Sequence, residues 1–144
     1  MHKKNIILIE DNPLDAELAI KALRKGGADG SIDILDDGAK ALEYFFGIGK
    51  FKGRKTQKLP ALVLLDLMIP KVSGFEVLEL IRANKHTRHI PVVIFSSSSV
   101  EKDIESAYEK GANSFIVKPI DFNSYSKLME AVAQFWINSN RTAY

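Results

Sequence analysis

The chain has 144 residues, of which 46% are hydrophobic and 26% are charged, and it contains no cysteine. This length and composition fit one folded domain and exclude a disordered chain, while the lack of cysteine excludes disulfides, zinc–thiolate sites and thiol nucleophiles. Five of the 20 basic residues lie within residues 50–58, a segment without acidic residues. The other 15 basic and 18 acidic residues give a net charge of −3, so the chain is an acidic domain with one basic segment.

The apolar runs of the sequence are short. The longest ones, such as residues 6–9, 62–65 and 90–95, fall well below the roughly 18 residues that a membrane span needs. The basic residues 3 and 4 are followed by only four apolar residues, which is too few for a secretory signal. We therefore expect a cytoplasmic protein that does not associate with membranes.

Segments with the apolar pattern of strands alternate with segments of helical periodicity. A continuous apolar strand at 4–10 is followed by a helix that begins at Pro13, has Leu14 and Leu18 among its apolar positions, and ends at Gly26. Further strands are predicted around Ile32 and Ile34 and at residues 61–65, 91–95 and 114–117. The helices that follow them are predicted to begin at Asp37, Ser73, Ser98 (with Glu101 in a capping box) and Asp121 or Asn123. This alternation predicts one α/β domain, with a parallel sheet covered by helices on both faces.

Polar side chains occupy the carboxyl ends of four predicted strands. The first strand ends in Glu10 and Asp11, the third in Asp66, the fourth in Ser96 and the fifth in Lys118. Functional groups of open α/β sheets gather at this edge, so we expect these side chains to converge.

Three clustered carboxylates repel one another and raise one another's pKa unless a cation binds. Oxygen ligands without cysteine or a well-placed histidine favour Mg²⁺. An aspartate nucleophile beside Mg²⁺, with a lysine and a hydroxyl to bind phosphate oxygens, indicates phosphoryl transfer through an aspartyl-phosphate.

The whole chain resembles response-regulator receiver domains. The resemblance rests on Glu10-Asp11, Asp66, Leu67-Met68-Ile69-Pro70, Gly74, Ser96 and Lys118-Pro119. The long segment before the third strand, Phe122, and the pair Phe135-Trp136 are most similar to cyanobacterial phytochrome response regulators. The resemblance implies a flavodoxin-like, doubly wound (βα)₅ fold, with a five-stranded parallel sheet of strand order 2-1-3-4-5.

The resemblance also implies roles for single residues. Asp66 would be the phosphoacceptor, and Glu10, Asp11, Asp66 and the backbone carbonyl of Met68 would arrange Mg²⁺. Lys118 would pair with Asp66 and then with the phosphoryl group, and its bond to Pro119 is expected to be cis. Ser96 and Phe115 match the switch positions, whose movement remodels the face formed by the fourth helix, fifth strand and fifth helix.

Some switch and site positions depart from the commoner pattern of the family. Ser96 stands where threonine is commoner, and Phe115 stands where tyrosine is frequent. Met68, two residues after the phosphoacceptor, has no group to orient an attacking water, so we expect a moderately long-lived phosphorylated state.

The family resemblance predicts a stand-alone response regulator, and not an enzyme, with residues 1–144 as one receiver domain without an output domain. A sensor histidine kinase, with the phytochrome type as candidate, would donate the phosphoryl group. A homodimer would form through the fourth-helix to fifth-helix face, and direct DNA binding is not expected.

The sequence leaves three alternative functions open. A receiver-like scaffold would work without phosphorylation, although the acid, hydroxyl and lysine set is complete. A haloacid-dehalogenase-like phosphatase needs a second acid where Met68 stands, and a flavodoxin-like flavin binder needs an uncharged phosphate loop where Glu10 and Asp11 stand.

Three further features of the sequence carry weaker functional signals. His86 and His89 are expected to be a solvated surface pair in a loop, because no third ligand is near. The basic segment 50–58 is expected to be a flexible, solvated loop, with docking to an acidic partner as the alternative. Of Phe135 and Trp136, one is expected to face the core and the other to stay partly exposed.

Overall fold

The computed structural model describes residues 3–144, and within this range five strands form one parallel sheet. The strands are β1 (Ile6–Ile9), β2 (Ile32–Leu35), β3 (Leu62–Leu65), β4 (Val92–Ser96) and β5 (Ser114–Val117). The helices are α1 (Pro13–Lys25), α2 (Gly38–Phe46), α3 (Gly74–Ala83), α4 (Glu101–Glu109) and α5 (Phe122–Ala133), and α5 continues as a π-helical segment, Gln134–Ser139. The sheet order is β2-β1-β3-β4-β5, which confirms the predicted fold class and strand order.

The apolar strands are buried on both faces of the sheet. In β1, Ile6 and Leu8 pack into one core cluster with residues of α1 and α5. Ile7 and Ile9 point to the opposite face and pack into a second cluster with residues of α2, α3 and α4. Since successive side chains of a strand alternate between faces, a continuous apolar strand is needed to fill both cores.

Polar side chains cap four of the helices. Asn12 accepts hydrogen bonds from the backbone N–H groups of Leu14 and Asp15 at the start of α1. Asp37 and Ser73 cap α2 and α3 in the same manner. Asp121 caps α5, which decides between the two predicted start positions of that helix. These caps satisfy N–H groups that a helix leaves unpaired and thereby define where each helix begins.

Two local predictions from the sequence are wrong. Leu14 is 71% exposed, because the buried face of α1 is formed by smaller residues and Leu23. Ser98 does not cap α4, whose N-cap position is Val100. The Ser98 hydroxyl instead donates a hydrogen bond to Asp103, and it accepts one from the Val100 backbone N–H.

The basic segment 50–58 is anchored to α2 at two positions. The Arg54 guanidinium lies 4.0 Å from the centre of the Tyr44 ring, and its Nε donates a 2.7 Å hydrogen bond to the Tyr44 carbonyl. Phe51 packs edge-on against the same ring at 5.2 Å. The four lysines of the segment are exposed. The expected solvated loop is therefore correct for the lysines, but Arg54 and Phe51 are bound to the domain.

The late aromatic pair divides as predicted. Trp136 is partly buried against the α1/α5 core, whereas Phe135 is 54% exposed.

Each of the helices in residues 3–144 is too short or too polar to cross a membrane.

The absence of a side chain at Gly74 allows α3 to begin close to the end of β3. A Cβ at this position would lie 2.4 Å from the Asp66 carbonyl oxygen and 2.6 Å from the Leu67 Cα. Both atoms belong to backbone that cannot move without displacing the end of the strand. Gly74 therefore sets the distance between α3 and the segment that holds Asp66.

We expect Gly74→Ala to lower the free energy of unfolding by about 2–3 kcal/mol, because the methyl group collides with backbone. Denaturant unfolding would measure this loss. Gly53→Ala is the control, since no heavy atom lies within 4 Å of its Cβ position and only the cost of its positive φ, about 1 kcal/mol, remains. Equal losses in the two variants would contradict the steric explanation.

Candidate functional site

The register of the sheet brings the predicted site residues to one edge. Ile9 pairs with Leu65, so Glu10 and Asp66 follow neighbouring strands at the same level. The Asp66 backbone N–H donates to the Ile9 carbonyl at 3.1 Å. On the other side of Asp66, β4 ends at Ser96, and the Lys118 backbone N–H donates to the Ser96 carbonyl at 2.7 Å. The predicted convergence at the carboxyl edge is therefore what the structure shows.

The ammonium group of Lys118 lies among three carboxylates. Its Nζ is 2.5 Å from Glu10 Oε1, 3.0 Å from Asp66 Oδ2 and 3.3 Å from Asp15 Oδ2. The side chains of Lys118, Glu10 and Asp66 are each at most 10% exposed. The predicted pairing of Lys118 with Asp66 is present, and the lysine has three acceptors for its three donor hydrogens.

Glu10 and Asp66 use their two oxygens in the same way. One oxygen of each carboxylate accepts a hydrogen bond from Lys118. The other accepts one from a backbone N–H, that of Asn12 for Glu10 and that of Met68 for Asp66.

Burial raises the pKa of Glu10 above its usual value, although the Lys118 ammonium opposes this shift. The pKa of Lys118 is also raised, because the hydrogen bonds and negative charges of Glu10 and Asp66 outweigh the effect of burial. Lys118 thus favours the charged form of Glu10, although burial opposes it, and the two carboxylates favour the charged form of Lys118.

Three carboxylates form a compact group that suits a hard cation. Oxygen atoms of Glu10, Asp11 and Asp66 all lie within 4.8 Å of one another, with Asp11 exposed and the other two buried. An all-oxygen donor set that opens to solvent on one side fits Mg²⁺, which prefers carboxylates and retains several waters. These are three of the four metal-site positions implied by the family resemblance, and the fourth, the Met68 carbonyl, follows Asp66 by two residues.

The two predicted switch residues lie on adjacent strands. Ser96 is fully buried, and its hydroxyl accepts a hydrogen bond from the Ser98 backbone N–H at 3.2 Å. Phe115 is half-buried at the edge of the second core cluster, and its backbone N–H donates to the Tyr108 hydroxyl.

The prediction of a cis bond before Pro119 is wrong, because the Lys118–Pro119 peptide bond is trans. Trans is the favoured form even for a bond that precedes proline. With the bond in this form, Lys118 still reaches Glu10 and Asp66.

Asp15 belongs to the site but is not among the residues predicted from the sequence. This residue lies in the first turn of α1, four residues after Asp11, and its carboxylate is about one-third exposed. The signal was present in the sequence, because a side chain in the first turn of a helix tilts back toward the strand end that precedes it. This signal is weak, because acids are common in the first turn of helices without any functional role.

The histidine pair remains outside the site. His86 and His89 are exposed, in the loop between α3 and β4, and the His86 ring contacts the Thr56 carbonyl of the basic segment. In the described part of the chain, the one group of three or more metal-ligating side chains is Glu10, Asp11 and Asp66.

Comparison with known proteins identifies relatives over nearly the whole chain. The response regulator receiver domain family matches residues 6–133. The probable methanogenesis regulatory protein FilR2 of Methanothrix harundinacea is 38% identical over 137 residues, which cover 95% of this chain and 86% of that protein. Response regulator Rcp1 of a Synechocystis species is 32% identical over 136 residues, which cover 94% of this chain and 90% of that protein.

Solved structures of similar proteins share the fold. The phosphorylated cyanobacterial phytochrome response regulator RcpA has a TM-score of 0.92 at 30% identity, covering 99% of this chain and 100% of its own. The Mn²⁺-bound form of Rcp1 has a TM-score of 0.90 at 30% identity, covering 98% of this chain and 99% of its own.

We expect Lys118→Met to lower the free energy of unfolding at pH 7 by about 3 kcal/mol, because it leaves two buried carboxylates without a counter-charge. The loss should be smaller at pH 5. Removing the ammonium raises the folded-state pKa of Glu10 further above its unfolded value, so stability falls as the pH rises toward neutral. Denaturant unfolding at both pH values in metal-free buffer would measure the effect.

Lys110→Met is the control, because it removes a more exposed ion pair with Glu79, and it should lower the free energy of unfolding by less than about 1 kcal/mol. A similar loss in both variants would argue against the buried-charge explanation.

Proposed function

Since this chain belongs to the response regulator receiver family, we propose that it accepts a phosphoryl group on Asp66 from a sensor histidine kinase and thereby switches a protein-binding surface. The main support is the position of Asp66, which lies at the carboxyl edge of the sheet, 3.0 Å from the Lys118 ammonium and in one acidic group with Glu10 and Asp11. In this proposal residues 1–144 act as one receiver domain whose output depends on the partner that it binds.

The chemistry requires a nucleophile and groups that stabilise charge. A carboxylate oxygen of Asp66 attacks the phosphorus of a phosphohistidine, the P–N bond breaks, and the imidazole leaves with the bonding electrons. Lys118, already 3.0 Å from Asp66, would then bind a phosphoryl oxygen. Mg²⁺, when bound by Glu10, Asp11 and Asp66 with the Met68 carbonyl, would neutralise the negative charge that otherwise repels the phosphoryl donor.

The proposed switch uses the buried hydroxyl of Ser96. A hydroxyl at the end of β4 can turn from its present partner, the Ser98 N–H, toward a new phosphoryl oxygen on the neighbouring strand. Phe115, which pairs with Ile94 of β4, could then turn inward behind it. Both movements would change the surface formed by α4, β5 and α5.

Exposed apolar side chains support an interaction surface there. The side chains are Tyr108 on α4, Val117 on β5, Phe122 on α5 and Phe135 just beyond it, and their exposed fractions range from 39% to 60%. Large exposed aromatic groups are typical of contact surfaces. We therefore propose that this α4–β5–α5 face forms a homodimer.

We do not propose DNA binding by the basic segment 50–58, because this segment lacks a helix that could read DNA.

The identity of the kinase follows only by analogy. RcpA is a phytochrome response regulator, which favours a phytochrome-type kinase, whereas FilR2 is described as a methanogenesis regulator. The proposed phosphoryl chemistry is the same in either case, and the phytochrome-type kinase stays the preferred candidate because the structural similarity to RcpA covers the whole domain.

The phosphatase and flavin alternatives have no support at the site. The residue two positions after Asp66 is Met68, an exposed apolar side chain that cannot act as a general acid. The loop after β1 presents Glu10 and Asp11, which would repel a flavin phosphate. A scaffold that works without phosphorylation is the remaining alternative.

Acetyl phosphate with Mg²⁺ should add one phosphoryl group to the protein, as read by intact mass. Asp66→Asn should abolish the addition, because an amide is a poor nucleophile, and chelation of Mg²⁺ should abolish it in the wild type. Asp36→Asn, an exposed acid outside the site, is the matched control and should leave the addition intact. A wild-type protein that gains no phosphoryl group would favour the scaffold function.

The phosphorylated protein, or its beryllofluoride complex, should sediment as a dimer at high micromolar concentration. Phe135→Ala should weaken this association at least tenfold, because it removes an exposed aromatic group from the α4–β5–α5 face. Leu14→Ala removes a comparably exposed apolar side chain from α1 and should leave the association unchanged. Monomers that persist with the phosphoryl mimic bound would refute the proposed dimer.

A further inference from the structure

The three carboxylates around Lys118 are not equivalent. Glu10 and Asp66 belong to the compact acidic group, so a cation bound there would compete with Lys118 for the same carboxylates. Asp15 lies outside that group, yet its Oδ2 is 3.3 Å from the Lys118 Nζ. Asp15 is therefore the acceptor that the lysine does not share with the metal-binding oxygens.

The chemistry of the phosphoryl site increases this difference. Once Asp66 carries an acyl phosphate, the oxygen that forms the new bond is no longer a free carboxylate oxygen. With Glu10 directed toward the metal, Asp15 would be the remaining free carboxylate among the three acceptors seen in the structure. An ammonium on a flexible lysine stem needs such a fixed partner to stay in one position.

We infer that Asp15 is a positioning residue for phosphoryl transfer, which keeps the Lys118 ammonium at the site when Glu10 and Asp66 have other partners. The inference rests on the proposed function of Asp66.

The backbone of Asp15 is fixed from two sides. Its N–H donates to the capping side chain of Asn12 at 3.2 Å, and its carbonyl accepts the Tyr125 hydroxyl at 3.0 Å. Tyr125 is buried on α5, so this contact ties the first turn of α1 to the neighbouring helix. A carboxylate on such a rigid turn can hold a cation in place at little entropic cost.

Asp15 also lies where an acid stabilises a helix through its dipole, which is a purely structural role. The two roles differ in one respect, because the structural role does not depend on Lys118. A test must therefore compare Asp15 variants with and without the lysine.

The first measurement follows the ammonium itself, without a phosphoryl donor, in metal-free protein and again at saturating Mg²⁺, where Glu10 and Asp66 have the metal as a partner. A ¹H–¹⁵N spectrum of the lysine NH₃⁺ groups should contain a slowly exchanging signal that Lys118→Met removes. Asp15→Asn should increase its hydrogen exchange rate several-fold, and Asp15→Glu, which keeps the charge, should largely restore the slow exchange. An exchange rate that is unchanged in Asp15→Asn at saturating Mg²⁺ would overturn the inference.

The second measurement is the rate of phosphorylation by acetyl phosphate at saturating Mg²⁺. Asp15→Asn should lower this rate roughly fivefold, the effect expected for one partly exposed charged hydrogen bond. In a Lys118→Met background the same change should have no further effect. Glu17→Gln, on the exposed side of α1 where Glu17 pairs with Lys21, is the control and should change neither measurement.

The two measurements separate the inference from the function on which it rests. A fivefold loss that persists in the Lys118→Met background would assign Asp15 to helix stability alone and overturn the inference. If the wild type accepts no phosphoryl group, the proposed function fails, while the ammonium exchange rate still decides whether Asp15 holds Lys118.

Discussion

The ion pairs between Lys118 and the buried carboxylates of Glu10 and Asp66 are the interaction on which the carboxyl edge of this sheet depends. Burying acids that close together is unfavourable unless a positive charge lies between them. The ammonium supplies that charge in the described structure, at 2.5 Å from Glu10 and 3.0 Å from Asp66. The same proximity places beside Asp66 the cation that phosphoryl transfer needs.

The surrounding fold keeps these charged groups in register. Both carboxylates follow apolar strands that are buried on both faces. One oxygen of each carboxylate accepts a hydrogen bond from the backbone N–H two residues further along the chain. Gly74 lets α3 begin directly against the backbone of Asp66. The site is therefore rigid on the β1 and β3 side, whereas Asp11 and Met68 face solvent, from which a cation and a phosphoryl donor would approach.

The basic segment 50–58 accounts for the positive net charge of the chain. Its five cations lie on the surface, with Arg54 stacked on Tyr44. The positive net charge of the chain thus arises away from the acidic group of Glu10, Asp11 and Asp66, where negative charge predominates. Net charge alone would have suggested a weakly basic protein, which describes neither region.

The order of strands and helices, the family, and the convergence of Glu10, Asp11, Asp66 and Lys118 could be predicted from the sequence. Apolar periodicity is a local property, and parallel strands end at a common edge. The contact of Asp15 with Lys118, the anchoring of Arg54 and the exposure of Leu14 were decided by tertiary structure. Each depends on which groups meet across elements distant in the chain, such as Lys118 with Asp15 or α1 with α5, and no local pattern specifies those contacts.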